Sequence, residues 1–201
     1  MVDEKIIRVD IPEGESGKFR IEKFTVSEKD ADFFNMRCAI QGTPTRAIDS
    51  GTYTRLKRDG AFDPVMSDTP AEWDDMENFV SCAEGHVIIN GLGLGWVATN
   101  VASKKEVKSV LVVELERDVI KLVEPYVKHP KLTIVQGDAH TYDTSKYRKK
   151  LGIQQFDCAF HDIWDNFCED HVPSLQKLRR RYGRLAKWQD DWLSKGLRSL
   201  W

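Results

Sequence analysis

The stretch His86-Val-Ile-Ile-Asn-Gly-Leu-Gly-Leu-Gly-Trp96 sets the expected fold of this chain. An apolar run ends at Asn90, three glycines follow at alternate positions, and a segment with a helical pattern begins at Trp96. Glycine tolerates the positive φ of a tight strand-to-helix turn, and it lets the backbone approach a bound molecule closely. A strand, a glycine turn and a helix in this order are typical of nucleoside-binding folds. The glycines alone do not indicate which nucleoside-bearing cofactor is bound.

Downstream of the glycines, apolar runs alternate with helical patterns. We expect helices over 96–103 and 117–127, and the strands at 87–90, 109–115, 132–135 and 156–160. The run at 109–115 is almost unbroken in its apolar character, as expected of a strand that is covered on both faces. This alternation predicts an α/β fold with a Rossmann-like, open and mainly parallel sheet.

The first part of the chain has a different pattern. Short alternating runs predict strands at 5–10, 18–26, 52–57 and 62–66, with one helix over 27–40 and a hairpin turn at 58–60. Thr69-Pro70-Ala71-Glu72 then has the form of a capping box that starts a helix. We therefore divide the chain into a β-rich region (1–66) and a Rossmann-like domain (67–201). The last forty residues have apolar side chains at three- and four-residue spacing and are expected to be helical.

Each predicted parallel strand ends in polar residues. The second ends in Glu114-Leu-Glu116, the third leads into Asp138, and the fourth leads into Asp162 and Asp165. In open parallel sheets, ligands bind outside the carboxyl ends of the strands. Glu114 follows Gly91 by 23 positions in the sequence. This is near the spacing at which an acid in nucleoside-binding folds accepts hydrogen bonds from the ribose hydroxyls. These acids therefore predict a nucleoside site with a reactive carboxylate beside it.

Each of these residues also has a plain structural explanation. Glu114 and Asp162 are able to cap the helices that follow, and Asp138 fits a turn. His161 is more typical of a packed histidine than of a catalytic one. Trp164 fits either a ligand-stacking role or a place in the core or a lid. Trp96 stands where a dinucleotide fold has its third close-packing glycine, which argues against NAD.

Four motifs carry a resemblance to a known superfamily. They are Ile89-Asn-Gly-Leu-Gly-Leu-Gly95, Val112-Val-Glu-Leu-Glu116, Gln136-Gly-Asp138 and Phe156-Asp-Cys-Ala-Phe-His-Asp162. Together they resemble the class I S-adenosylmethionine-dependent methyltransferases. The Asp-x-x-Asp ending at Asp165, and an Asp-Gly turn before the glycine loop, are similar to the spermidine synthase branch. The β-rich N-terminal region fits the same branch.

The resemblance implies a set of site residues. Gly91, Gly93 and Gly95 would face the methionine part of S-adenosylmethionine. Glu114 would bind the ribose and Asp138 the adenine. The two remaining acids would be catalytic and would hold an acceptor in line with the transferring group: Asp162 and Asp165. No metal is implied.

The chain also departs from the spermidine synthase pattern. Leu94 replaces the acidic residue of that family's glycine loop, which weakens the case for an aminopropyl donor. About forty residues follow the fourth strand, so we expect either a C-terminally shortened sheet or an edge covered by the C-terminal helix. The Asp/Asn-Pro-Pro-Tyr motif of DNA amino-methyltransferases does not occur in the sequence.

Composition limits the partners. The formal net charge is −2, the four cysteines are scattered without metal-type spacing, and the N-terminus has no apolar leader pattern. We expect a cytoplasmic protein with a small-molecule acceptor and without a membrane or nucleic-acid partner. The basic run at 177–184 is typical of a solvated helix face, and the tryptophan-rich C-terminal helix is a candidate surface for homo-oligomers.

These observations predict an S-adenosylmethionine-binding transferase. Methyl transfer to a small or amine-bearing acceptor is the leading hypothesis. The alternatives are aminopropyl transfer, a non-catalytic module that keeps the cofactor fold, and an NAD-linked oxidoreductase.

Overall fold

The computed structural model describes residues 7–42, 46–166 and 168–194. These residues form an antiparallel sheet followed by a parallel sheet with helices between its strands. The antiparallel sheet has the order β1-β2-β3-β4, and its elements are β1 (Gly14–Ser16), β2 (Phe19–Val26), α1 (Glu28–Ile40), β3 (Gly51–Arg58) and β4 (Met66–Ser67). A β-rich N-terminal region with one helix is therefore confirmed.

The rest of the described chain alternates between strand and helix. Its elements are α2 (Pro70–Cys82), β5 (Gly85–Asn90), α3 (Trp96–Ser103), β6 (Val107–Glu114), α4 (Arg117–Val123), β7 (Leu132–Gln136), α5 (Ser145–Leu151), β8 (Phe156–His161), α6 (Val172–Tyr182) and β9 (Ala186–Asp191). The five strands are parallel, in the order β7-β6-β5-β8-β9. The chain thus winds outward from β5 in one direction and then in the other, so the α/β, Rossmann-like fold is confirmed.

The three inner strands of the parallel sheet, β6, β5 and β8, are largely buried. All but one of the residues of β6 are buried, and the last four residues of both β5 and β8 are buried. Phe79 of α2 stacks on Phe160 of β8 with the ring centroids 4.6 Å apart. The hydrophobic core therefore extends from the parallel sheet to α2, the helix that precedes β5. Among the described residues, no helix is long and apolar enough to cross a membrane.

The C-terminal prediction is wrong in part. Helix α6 ends at Tyr182, and the following residues form the parallel strand β9 instead of continuing the helix. Trp188, which was expected on that helix, lies in β9, and its ring stacks on Phe79 at 5.6 Å. Trp192 is buried. Residues 195–201, including the end of the expected helix, lie outside the described residues.

Two N-terminal expectations also need correction. Residues 5 and 6 of the first expected strand lie outside the described residues, and its remaining residues are not in a strand. The backbone N–H and C=O of Ile7 pair instead with the side-chain amide of Asn100, each at 2.9 Å. Of the strand expected at 62–66, only Met66 is in β4. The loop before β4 is therefore longer than the hairpin turn predicted at 58–60.

The capping box predicted at the start of α2 does not form as expected. Thr69 is the N-cap residue and Pro70 begins the helix, but the Thr69 side chain makes no capping hydrogen bond. Glu72 reaches past it to Ser67, whose backbone N–H and hydroxyl donate to Glu72 Oε1 at 2.8 and 2.6 Å. The acid therefore fixes β4 to α2.

Candidate functional site

A cavity of ≈ 300 Å³ lies at the carboxyl ends of the parallel strands. The segments after β5, β6, β7 and β8 all line it, and they contribute the predicted residues Gly91, Gly93, Glu114, Asp138, Asp162 and Asp165. The N-terminal sheet lies on the other side, with Phe19, Leu56, Arg58 and Met66. The cavity therefore sits where the strand order reverses, which is the usual ligand position in this type of sheet.

The third loop glycine is placed differently from the other two. Gly95 does not line the cavity. It is the N-cap of α3 with a φ of 75°, and a Cβ there would lie 2.5 Å from Val127 Cγ1. Trp96 beside it is buried, with its ring centroid 5.1 Å from that of Trp73. This glycine therefore allows the turn to pack on the segment after α4, and its predicted contact with a ligand stays a prediction.

The backbone N–H groups of the glycine loop are largely used within the protein. Gly91 donates to Val113 O at 2.9 Å, and Gly95 donates to Leu92 O at 2.8 Å. Leu92 N–H donates to Glu114 Oε2 at 2.7 Å. The N–H of the residue after Gly93 donates to the Met66 thioether at 3.2 Å. Of the five amides from residue 91 to residue 95, four are thus engaged, so the loop is not an open nest of donors for an anion.

Glu114 holds two backbone segments at once. Its Oε2 accepts from Leu92 of the glycine loop, and its Oε1 accepts from Glu116 N–H at 2.8 Å. The backbone N–H of Leu115 also interacts with this carboxyl. A carboxylate has about four acceptor positions, so Glu114 keeps acceptor capacity for a ribose hydroxyl. Burial raises the pKa of Glu114 above its usual value. Glu114, the residue predicted to bind ribose, therefore lies on the cavity wall. Its hydrogen bond to Leu92 fixes both the Glu114 side chain and the glycine loop.

Asp138 and His140 form a corner after β7. Asp138 Oδ1 accepts from the backbone N–H of His140 at 2.8 Å, so the two residues belong to one turn, and both are among the residues that line the cavity. His140 Nε2 lies 3.0 Å from Ser174 Oγ, and Trp164 Nε1 donates to the same hydroxyl at 3.3 Å. Trp164 is buried and lines the cavity, so it forms part of the wall.

Asp162 lies in a cluster of acids. Burial raises its pKa to about 8, and the nearby carboxylates of Glu72, Glu114, Asp75 and Asp165 add to the increase. Burial likewise raises the pKa of Glu72 to about 7. Asp162 therefore carries a proton at neutral pH in the free protein, and a positive charge placed beside it would favour loss of that proton.

Asp165, the second predicted catalytic acid, is already paired. Arg58 Nη1 lies 3.0 Å from Asp165 Oδ2, and Arg58 Nη2 lies 3.1 Å from Oδ1. The same guanidinium lies over the Phe19 ring at 5.2 Å. This bidentate pair joins the end of β3 to the segment after β8 at the cavity. A catalytic role for Asp165 stays a prediction, and the ion pair gives it a definite structural role.

His161 is packed, as its position in the sequence suggested. Its Nδ1 accepts from Asn90 Nδ2 at 2.8 Å, and its Nε2 donates to Gln189 Oε1 at 3.1 Å. Tyr182 donates to Asn90 Oδ1 at 2.8 Å. Burial lowers the pKa of His161 to about 4, so the ring is neutral. This network connects β5, β8, α6 and β9 behind the cavity.

Sequence reasoning missed several residues of the cavity wall, among them Arg58, Met66 and His140, and it missed that Glu72 lies near Asp162. Arg58 belongs to the predicted hairpin, but nothing in the sequence indicates that this hairpin faces the segment after β8. Glu72 was recognised only as part of a cap. His140 follows Asp138 by two residues, and that spacing is the one sequence signal that could have identified it.

Comparisons with known proteins complete this picture. No protein-family model matches the chain, and no curated protein matches it. Solved structures do resemble it, and methyltransferases recur among them. One is the CcbJ methyltransferase from Streptomyces caelestis, at 23% identity and a TM-score of 0.42, with 56% of this chain and 47% of that chain covered.

Two further solved structures also resemble this chain. Precorrin 8w decarboxylase from Methanobacterium thermoautotrophicum gives 17% identity and a TM-score of 0.38 over 56% of this chain and 54% of that one. A dimethyladenosine transferase from Plasmodium falciparum gives 16% identity and a TM-score of 0.37 over 53% and 35%. This chain thus spans about half the length, or less, of these proteins. The TM-scores lie below 0.5, so the assignment of the fold rests on this chain's own strand order.

Proposed function

We propose that this protein binds S-adenosylmethionine and transfers its methyl group to a small acceptor that bears an amine or another hydrogen-bond donor. The supporting observation is that the ends of four parallel strands, β5 to β8, line the same cavity. They place the glycine loop, Glu114, Asp138 and Asp162 around it. The glycines allow close approach, Glu114 is an acceptor for ribose hydroxyls, and Asp138 is an acceptor for an adenine amine.

The charges around the loop favour a cationic nucleoside over an anionic dinucleotide. A pyrophosphate is normally held by free backbone N–H groups at the start of a helix. Here the loop amides are bonded to Glu114, to Met66 and to backbone carbonyls, and Trp96 at the start of α3 is buried away from the cavity. A sulfonium beside Asp162 and Glu114 would favour the ionised form of these acids, whose pKa values are raised, whereas a phosphate there would oppose their ionisation.

In this proposal the protein acts mainly by positioning and electrostatics. S-adenosylmethionine supplies a methyl carbon that is activated by the positive sulfur. Glu114 and Asp138 hold the nucleoside, and the N-terminal sheet covers the cavity and reduces contact with water. Asp162 is proposed to orient the acceptor and to take its proton once a neighbouring cation has lowered the pKa of the carboxyl.

Calorimetric titration tests the proposal. S-adenosylmethionine and S-adenosylhomocysteine should bind, and NAD should not. A preference for decarboxylated S-adenosylmethionine would instead support aminopropyl transfer. Absence of binding by either adenosyl compound would contradict the proposal. Binding without turnover on a panel of amines would support a non-catalytic module.

The catalytic part has its own test. The Asp162→Asn variant should bind S-adenosylhomocysteine as the native protein does near neutral pH, because Asp162 is protonated there and the amide resembles the neutral acid. Methyl transfer should be lost. If cofactor binding were lost instead, Asp162 would have a structural role.

A further inference from the structure

Helix α1 leaves most of its large apolar side chains in solvent. Nine large apolar side chains are exposed among the described residues, and four of them belong to this helix: Phe33, Phe34, Met36 and Ile40. Their exposed fractions are 59, 44, 52 and 78%. At ~200 Å² for a fully exposed side chain of this size, they present roughly 450 Å² of apolar surface. A patch of that size on one element indicates an interaction surface.

The other side of α1 attaches the helix to the protein. Ala31 and Cys38 are its buried residues, and they lie two turns apart on one face. Asn35 lies on the same face, one turn after Ala31. Its side-chain amide donates to Ile48 O at 2.9 Å, and Ile48 N–H donates to Asn35 Oδ1 at 2.8 Å. The helix is therefore fixed by this face, and the exposed apolar side chains lie mainly on the opposite one.

Three of the exposed side chains form a stripe along the helix. Phe33, Met36 and Ile40 follow one another at spacings of three and four residues, which is the pattern of the contact positions between two packed helices. Lys29 precedes Phe33 by four residues and extends the stripe, because the aliphatic stem of a lysine covers apolar surface. The stripe therefore runs for about 17 Å, and a second helix with the same spacing fits it.

The charges beside the stripe favour a second copy of the same helix in the antiparallel orientation. Asp30 and Arg37 are both exposed, and they lie seven residues apart on one flank of the stripe. In an antiparallel pair, Asp30 of each copy meets Arg37 of the other, so two-fold symmetry gives two contacts between opposite charges. A parallel pair would instead bring the two copies of Lys29 together and align the helix dipoles unfavourably.

We propose that α1 is the interface of a homodimer, in which two copies of the helix pack antiparallel with Met36 of each copy over Phe33 of the other. No residue of α1 lines the cavity, so this proposal does not depend on the proposed function. The apolar patch is smaller than the ~800 Å² per partner of a standard interface. The dimer should therefore be reversible, with a dissociation constant on the order of 10 μM.

Analytical ultracentrifugation of the full chain tests the interface. From about 1 to about 200 μM protein, the mass should rise from that of a 23.1 kDa monomer towards twice that value. Met36→Glu places a carboxylate against the Phe33 ring of the second copy and should weaken association by about a hundredfold. The matched control is Phe62→Glu, since Phe62 is 96% exposed and lies outside α1, and it should associate as the native protein does. Circular dichroism and thermal unfolding verify that each variant is folded.

The orientation has a separate test with exposed residues. Asp30→Arg alone and Arg37→Asp alone each replace two attractive contacts by two repulsive ones, and each should associate about tenfold more weakly than the native protein. A one-to-one mixture of the two variants should form heterodimers about as tightly as the native protein associates, because both contacts are attractive again. A fluorescent label on one variant detects the heterodimer.

Two results would overturn the interface: native protein that stays monomeric over the whole concentration range, or a dimer that Met36→Glu does not weaken. The second result would show that the copies associate through another surface. A mixture of the two charge variants that associates no more tightly than either variant alone would overturn the antiparallel arrangement.

Discussion

The carboxylate of Glu114 and the backbone N–H of Leu92 are joined by a 2.7 Å hydrogen bond. The acid at the end of β6 therefore supports the glycine loop at the end of β5, in addition to any ligand that it binds. This connection explains why a buried acid with a raised pKa is placed there. Replacement of Glu114 therefore has two effects, loss of an acceptor for the ribose and loss of support for the glycine loop, and an experiment has to separate them.

Replacement of Glu114 by alanine should weaken S-adenosylhomocysteine binding by about tenfold or more, because the ribose loses its acceptor and the loop loses its anchor. The ribose part is measured with adenosine and 2′,3′-dideoxyadenosine. The native protein should prefer adenosine, and the variant should not. The Glu77→Ala variant, which removes an exposed acid on α2, is the control. A preference for adenosine that survives in Glu114→Ala would contradict the ribose assignment.

Gly91 should be the least replaceable glycine of the loop. Its φ is 98°, and a Cβ there would lie 1.8 Å from the carbonyl oxygen of Asp162. Gly60 is a matched control, because its φ is 78° and a Cβ there would meet nothing within 4 Å. Gly60→Ala should cost about 1–2 kcal/mol of unfolding free energy from backbone strain alone. Gly91→Ala should cost about 3 kcal/mol or more, since β5 and the segment after β8 would have to separate.

Denaturant titration of both variants measures the difference. Equal costs would show that the contact between Gly91 and Asp162 is looser than the structure has it. Both glycines have a positive φ, so Gly60→Ala accounts for much of the backbone strain, and most of the additional loss in Gly91→Ala reports the close approach to Asp162.

The sequence was most informative where burial and pattern coincide. The apolar runs of β5, β6, β7 and β8 and the acids that follow them predicted the sheet and much of one cavity wall. β9 was misassigned because its residues, Ala-Lys-Trp-Gln-Asp-Asp, are mostly polar. A strand at the side of a sheet needs fewer apolar residues than a central one, and its Trp188 also matches helical spacing.

The opposite wall of the cavity was beyond prediction for a different reason. Met66 and Arg58 reach the cavity only because the N-terminal sheet packs over the carboxyl ends of the parallel strands. Arg58 and Asp165 are separated by 107 positions in the chain, and no local pattern indicates such a contact. Local sequence therefore predicted the elements and their ends, whereas the contacts between the two sheets required the structure.

The affinity for S-adenosylmethionine should rise with pH. The pKa of Asp162 is raised from 3.8 to about 8, so the carboxyl is protonated below that pH and ionised above it. A sulfonium is favoured by the ionised form, whereas S-adenosylhomocysteine has a neutral sulfur. Between about pH 6 and about pH 9, the affinity for the cation should therefore increase by about tenfold more than the affinity for the neutral compound.

Calorimetry at several pH values measures this difference, and proton release on binding provides a second readout. The Asp162→Asn variant is the control, because its side chain does not titrate, and it should largely lose the difference. Parallel pH dependence of the two ligands in the native protein would show that the charge on Asp162 does not act on the sulfonium.

The hydroxyl of Tyr182 should contribute to stability through the network behind the cavity. It donates to Asn90 Oδ1 at 2.8 Å, and Asn90 in turn donates to the neutral ring of His161. In Tyr182→Phe the buried Asn90 oxygen loses this donor, which should cost about 1–3 kcal/mol of unfolding free energy. The matched variant Tyr126→Phe removes a hydroxyl from an exposed side chain and should change little. Denaturant unfolding distinguishes the two, and equal stabilities would show that the buried network adds nothing beyond packing.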